Sequence, residues 1–160
     1  MSRNLKILIA ALLAVTCFVA VIHMNQQEAV SCMVIRCAGR ELPVDWEELN
    51  RTSFSGELVD GKGTVTAHTY TGVLLKDLLA SRNISSTEIS ALKVTSADNY
   101  TVEFSAEEIC ADDKVYVAVT VDGEPVEGID SGTDGVQIIV FGDPNSRRCV
   151  RYAVILEIIS

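Results

Sequence analysis

Tyr70-Thr71-Gly72-Val73-Leu74-Leu75-Lys76-Asp77-Leu78-Leu79 is the stretch whose reading decides the fold. A run rich in Thr and Val, Thr64 to Tyr70, leads into it and reads as a strand. The strand is expected to end at Gly72, and an apolar helix to start at once. Leu74, Leu75, Leu78 and Leu79 have the i, i+1, i+4, i+5 spacing of one buried helix face. Thr71 is the expected cap.

The same alternation between strand and short helix continues outward. Upstream, Asp60-Gly61-Lys62-Gly63 is a hairpin signal between Thr52–Val59 and the Thr64 run. Met33–Arg36 and Glu41–Val44 read as strands around the turn Ala38-Gly39-Arg40. Asp45-Trp46-Glu47-Glu48-Leu49 reads as a short helix closed by an Asp45/Glu48 capping box. Downstream, Ala91–Thr95 and Tyr100–Phe104 flank the turn Ala97-Asp98-Asn99, and Ser105-Ala106-Glu107-Glu108 is a second capping box. Val115–Val121, Gly135–Val140 and Arg151–Ile159 complete the strand set. The order predicts one α+β domain, mainly β, with a mixed or barrel-like sheet and a few short helices.

The first 31 residues differ from the rest. Met1–Lys6 is basic, Ile7–Ile22 is apolar except for Thr16, and His23–Ser31 turns polar and then small. This is the order of a secretory signal, or of an N-terminal membrane anchor if it stays uncleaved. Lipid attachment at Cys32 is a third option. All three put the body, residues 32–160, outside the cytoplasm. The net charge is −9, and the leader's Arg3 and Lys6 make the body more acidic still. Such a surface repels phosphate backbones, which excludes nucleic acid as a partner.

Cys17 lies in the leader, and the body carries Cys32, Cys37, Cys110 and Cys149. An even count in an exported domain permits two disulfides, and the pairing stays open. No Cys-x-x-Cys occurs, and His68 is the only histidine of the body. A closed zinc site is therefore not expected. No Gly-x-Ser-x-Gly elbow marks a hydrolase either.

In their order, four stretches resemble the sulfite-oxidase-type molybdopterin-binding domain. They are Pro43–Leu49, Tyr70–Leu79, Ser96–Ser105, and Val119–Pro125 with Val136–Val140 and Gly142-Asp143-Pro144. The resemblance implies that family's fold over Val34–Ile158. It also implies a molybdenum ion held by a pterin dithiolene and one protein thiolate. The family's cysteine follows the first helix and precedes the Gly-Val segment. That interval here, Asn50–Thr71, contains none. Cys37-Ala38-Gly39-Arg40 imitates a family motif but lies ahead of the expected first helix, so Cys37 is only the outside alternative as a metal ligand.

By the same resemblance, His68, Arg147 and Arg148 are the candidates for holding a pterin phosphate. Read from the residues alone, His68 is a half-packed strand residue and the arginines are a solvated loop pair. Three readings follow. The first is an exported, non-catalytic module of this fold that needs no cofactor and binds a small molecule or an envelope protein. The second is a molybdopterin-dependent oxidoreductase with an atypical ligand. The third is a disulfide-stabilised structural protein of the envelope.

Overall fold

Gly72 does not end the strand that precedes it. In the computed structural model, which describes residues 33–160 apart from Ser131, that strand runs unbroken through Val65–Leu74 (β4). The helix, Leu75–Ser81 (α1), starts only then, and Leu74 is its cap position with no side-chain bond. Thr71 is therefore a strand residue and caps nothing. The reason lies across the sheet. Val73 and Leu74 face Val117 and Tyr116 of Val115–Val121 (β7), and the register slips between Thr71 and Gly72. At that slip the two backbones approach so closely that a Cβ on residue 72 would run into the Val117 carbonyl. Only glycine permits this approach.

β4 and β7 lie at the centre of one sheet. Thr52–Val59 (β3) pairs with β4, and Glu124–Pro125 (β8) and Gln137–Val140 (β9) both pair with β7. A second sheet has Ala153–Ile159 (β10) in its middle. Val34–Cys37 (β1) runs parallel to it on one side, with Arg40–Pro43 (β2) at the edge. Ala91–Ser96 (β5) and Thr101–Ser105 (β6) lie on the other side. Ile138 and Val150 exchange backbone hydrogen bonds of 2.8 and 3.1 Å, which ties the first sheet to the segment that enters β10. The mainly β, mixed-sheet architecture expected from the sequence is the one observed.

β7 is apolar on both faces. Val115, Val117 and Val119 enter the main core with Leu75, Leu78, Leu79, Leu92, Phe104, Ile138 and Leu156. Tyr116 and Ala118 point the other way, into a second cluster with Phe54, Tyr70, Ile139 and Phe141. There the rings of Phe54 and Tyr116 stack at 4.1 Å between centroids.

The second capping box forms as read. Ser105 Oγ accepts from the Glu108 amide, Glu108 accepts in return from the Ser105 amide, and Ala106–Cys110 (α2) follows. The first one does not form. Residues 46–49 make bends instead of a helix, with Asp45 Oδ1 accepting from the Glu47 amide at 3.0 Å. Trp46 is buried there and Leu49 packs on the core. These contacts outweigh a helix of about one turn, whose nucleation is unfavourable. Two short 3₁₀ turns, Ser86–Glu88 and Ser146–Arg148, were not legible in the sequence. The leader, with Cys17, and Cys32 lie outside the described residues. Among the described residues, no helix is long and apolar enough to cross a membrane.

The Gly72 contact makes a sharp contrast between two glycines. Gly72→Ala should lower unfolding free energy by about 3 kcal/mol. Gly61→Ala, with open space around it, should leave stability within about 0.5 kcal/mol of the parent. Denaturant titration of both variants reads the difference, and equal effects would contradict the close approach.

Candidate functional site

A cavity of about 760 Å³ opens where β4 and β7 meet the β5–β6 turn and the segment leading into β10. Several of the turns that line it are sharp. Asn99, Asp122 and Tyr152 adopt positive φ of 67°, 52° and 55°.

 The left-handed backbone at these three positions aims their neighbours inward. His68 and Tyr70 of β4 line the cavity, as do Asp98 and Tyr100 of the β5–β6 turn, and Cys149, Arg151 and Tyr152 ahead of β10.

Asp122 fixes the β4 side. Its Oδ1 accepts from the Thr69 amide at 2.9 Å, and its Oδ2 lies 2.7 Å from His68 Nδ1. A carboxylate only accepts, so Nδ1 donates and the ring is oriented by that bond. The Thr69 amide first, and His68 second, hold the Asp122 carboxyl below its ordinary range. Tyr70 is buried beside it. Burial above all, with the charges of Cys149 and Asp122 adding to it, pushes its phenol up to about 12, so it stays protonated at neutral pH.

On the opposite wall, Asp98 accepts from Ser96 Oγ and from the Tyr100 amide. Tyr100 Oη donates to the Arg147 carbonyl at 2.6 Å, which pins the 3₁₀ turn over the cavity.

Of the residues singled out in the sequence, His68 lines this cavity and Arg147 and Arg148 do not. Arg147 is exposed beside it. Arg148 is engaged elsewhere. Its two terminal nitrogens meet Glu108 Oε1 and Oε2 at 2.7 and 2.9 Å, one of them also meets Asp143 at 3.2 Å, and the guanidinium lies 4.9 Å from the Phe104 ring centroid. This two-pronged clamp ties α2 to the segment before β10, and Lys114 joins it at 3.0 Å from Glu108. Cys37 ends β1 opposite Arg40, away from the cavity. Cys37, Cys110 and Cys149 are free thiols in this structure, so no disulfide joins any two of them. Cys110 and Cys149 have other partners: Cys110 Sγ donates to the Ser86 carbonyl, and Cys149 Sγ accepts from the Val140 amide.

The residues that sequence reasoning missed are Asp98, Tyr100, Glu124, Glu127, Arg151 and Tyr152. Most lie in or beside turns, and the turn signals at 97–99 and 122–123 were the only hint of them.

A thiolate-anchored, phosphate-bearing pterin is a poor match to this lining. Among the described residues, Cys149 is the one thiol of the cavity wall, and burial pushes its thiol up, toward the neutral form. Among the described residues, Asp60, Asp98, Glu124 and Glu127 face Arg151 as the only lining guanidinium, an unfavourable field for a phosphate. Among the described residues, no three His, Cys, Asp or Glu side chains converge as a metal site.

Three comparisons bear on this geometry. Residues 16–132 match the model of the oxidoreductase molybdopterin binding domain. No curated protein matches the sequence. Among solved structures, the sulfane dehydrogenase SoxCD from Paracoccus pantotrophus superposes with a TM-score of 0.64 at 19% identity, over 80% of this chain and 38% of that one. The chain thus spans well under half of that structure's length, and the likeness is one of fold.

The clamp on Glu108 has a pH signature. Arg148 foremost, with Lys114 and the Ser105 amide, holds the Glu108 carboxyl at about 2. A depressed carboxyl stabilises the fold above its unfolded value and loses that contribution as pH falls through the folded one. Stability should therefore drop between about pH 4.5 and about pH 2. Glu108→Gln should cost about 2 kcal/mol at neutral pH and flatten that drop. Chemical denaturation across pH checks both.

Proposed function

The chain belongs to the oxidoreductase molybdopterin-binding domain family, and from that premise we propose that it is an extracytoplasmic module that binds a small molecule in its cavity and carries no molybdenum centre. The observation that supports this most is the state of Cys149. A soft metal is anchored by a thiolate, whereas the single thiol on the cavity wall among the described residues is favoured in its neutral form and already accepts the Val140 amide. The candidate phosphate ligands point the same way. Arg148 is occupied by Glu108 and Asp143, and His68 is bound by Asp122. Export rests on the order of basic, apolar and polar residues in Met1–Ser31.

A competing reading keeps the redox centre. It draws on the position of Cys149 at the cavity, and it would make that residue the atypical anchor. Expression of the full chain in a host that makes the cofactor separates the two. Purified protein should carry no more molybdenum or pterin fluorescence than an unrelated exported protein prepared in parallel. Stoichiometric molybdenum that disappears in Cys149→Ser would reverse the proposal.

The thiol gives a second readout. Its rate of alkylation by iodoacetamide, followed by peptide mass spectrometry, should still be rising above pH 9, the ordinary thiol value. A plateau below that pH would show a stabilised thiolate and favour the metal reading.

A further inference from the structure

The charge of the cavity wall is not balanced by the protein. Asp60 accepts from the Lys62 and Thr64 amides at 2.7 and 2.8 Å. Asp98 accepts from a hydroxyl and an amide. These donors are neutral: they hold both carboxyls below their ordinary range without cancelling the charge. Glu124 and Glu127 add two more carboxylates on the β8 side. Among the described residues, no Lys, Arg or His forms an ion pair with any of the four. Arg151 is the one guanidinium on the wall among the described residues. The same wall carries Tyr100 and Tyr152, neither of them buried, whose rings offer π surface to a cation. A volume of about 760 Å³ is that of a pocket for a small organic molecule.

We propose that this cavity takes an organic cation, an amine or quaternary ammonium compound with an apolar body, and rejects the anionic ligand that the fold is otherwise associated with. The carboxylates attract the charged head and the tyrosine rings and the Leu58, Val121 and Val126 side chains cover the rest. The inference rests on the reading of the cavity as a ligand site, and deepens it by naming the ligand class. Arg151 repels such a ligand, so its removal strengthens binding. An anion site would behave in the opposite way, because it would lose its only guanidinium.

Calorimetric titration of the full chain with three probes of one aromatic body tests this: benzyltrimethylammonium, benzyl alcohol and benzyl phosphate. The cation should bind one to one, about ten-fold more tightly than the other two, and more weakly as salt is raised. Glu124→Gln with Glu127→Gln should weaken it, and Arg151→Gln should tighten it. All three positions are exposed, so the variants should fold, which circular dichroism verifies. Tighter binding of benzyl phosphate, or weaker cation binding in Arg151→Gln, overturns the inference. Equal binding of the cation and the alcohol also overturns it but leaves a ligand cavity standing. If no probe binds, both the inference and the cavity reading fall.

Discussion

The contact of β4 with β7 at Gly72 is the constraint on which the rest of the structure depends. It lets one strand run on past a register slip and deliver Leu75, Leu78 and Leu79 to the core. The same pairing sets Tyr70 opposite Val121 and brings Asp122, just beyond it, against Thr69 and His68. A side chain at residue 72 would push the two backbones apart and disturb the core on one face and the aromatic cluster on the other. Packing and site are therefore one problem here. The residues that line the cavity are held by the strand pair that also organises the hydrophobic interior.

Electrostatics divides the basic side chains into two groups. Arg148 and Lys114 are spent on Glu108 and Asp143, where they join α2 to the segment ahead of β10. That arrangement is structural, and it engages the guanidinium of Arg148 away from the cavity. Among the described residues, the cavity keeps Arg151 alone against several carboxylates. A shared fold thus says little about the ligand, because ligand choice lies in side chains that the fold does not dictate.

Local signals were legible where local and tertiary preferences agreed. Ser105 and Glu108 read as a capping box and form one, because Ile109 in the turn that follows is buried in the core. Asp45 and Glu48 have the same spacing and fail, because burial of Trp46 draws the chain into bends. Gly72 read as the end of a strand because glycine is poor in strands. Its role as the point of close approach depends on Val117, far along the chain. The cavity was the least legible part. Asp60, Asp98, Glu124 and Arg151 look like ordinary surface residues in turns, and only the meeting of those turns makes them one wall. His68 was visible because it is the sole histidine of the body, but its partner Asp122 was not, since nothing in the chain pairs them before the strands do.

The middle strand of the second sheet has a consequence for biogenesis. β10 separates β1 from β5, with Val34 facing Ile155 across nearly the whole described length. It is also the last of the ten strands to leave the ribosome. Until it arrives, β1 and β5 have an unfilled gap between them, and the sheet cannot close. Pairing of this kind carries a large loop-closure entropy and forms late. The nine strands ahead of β10 are thus made before the second sheet can be completed.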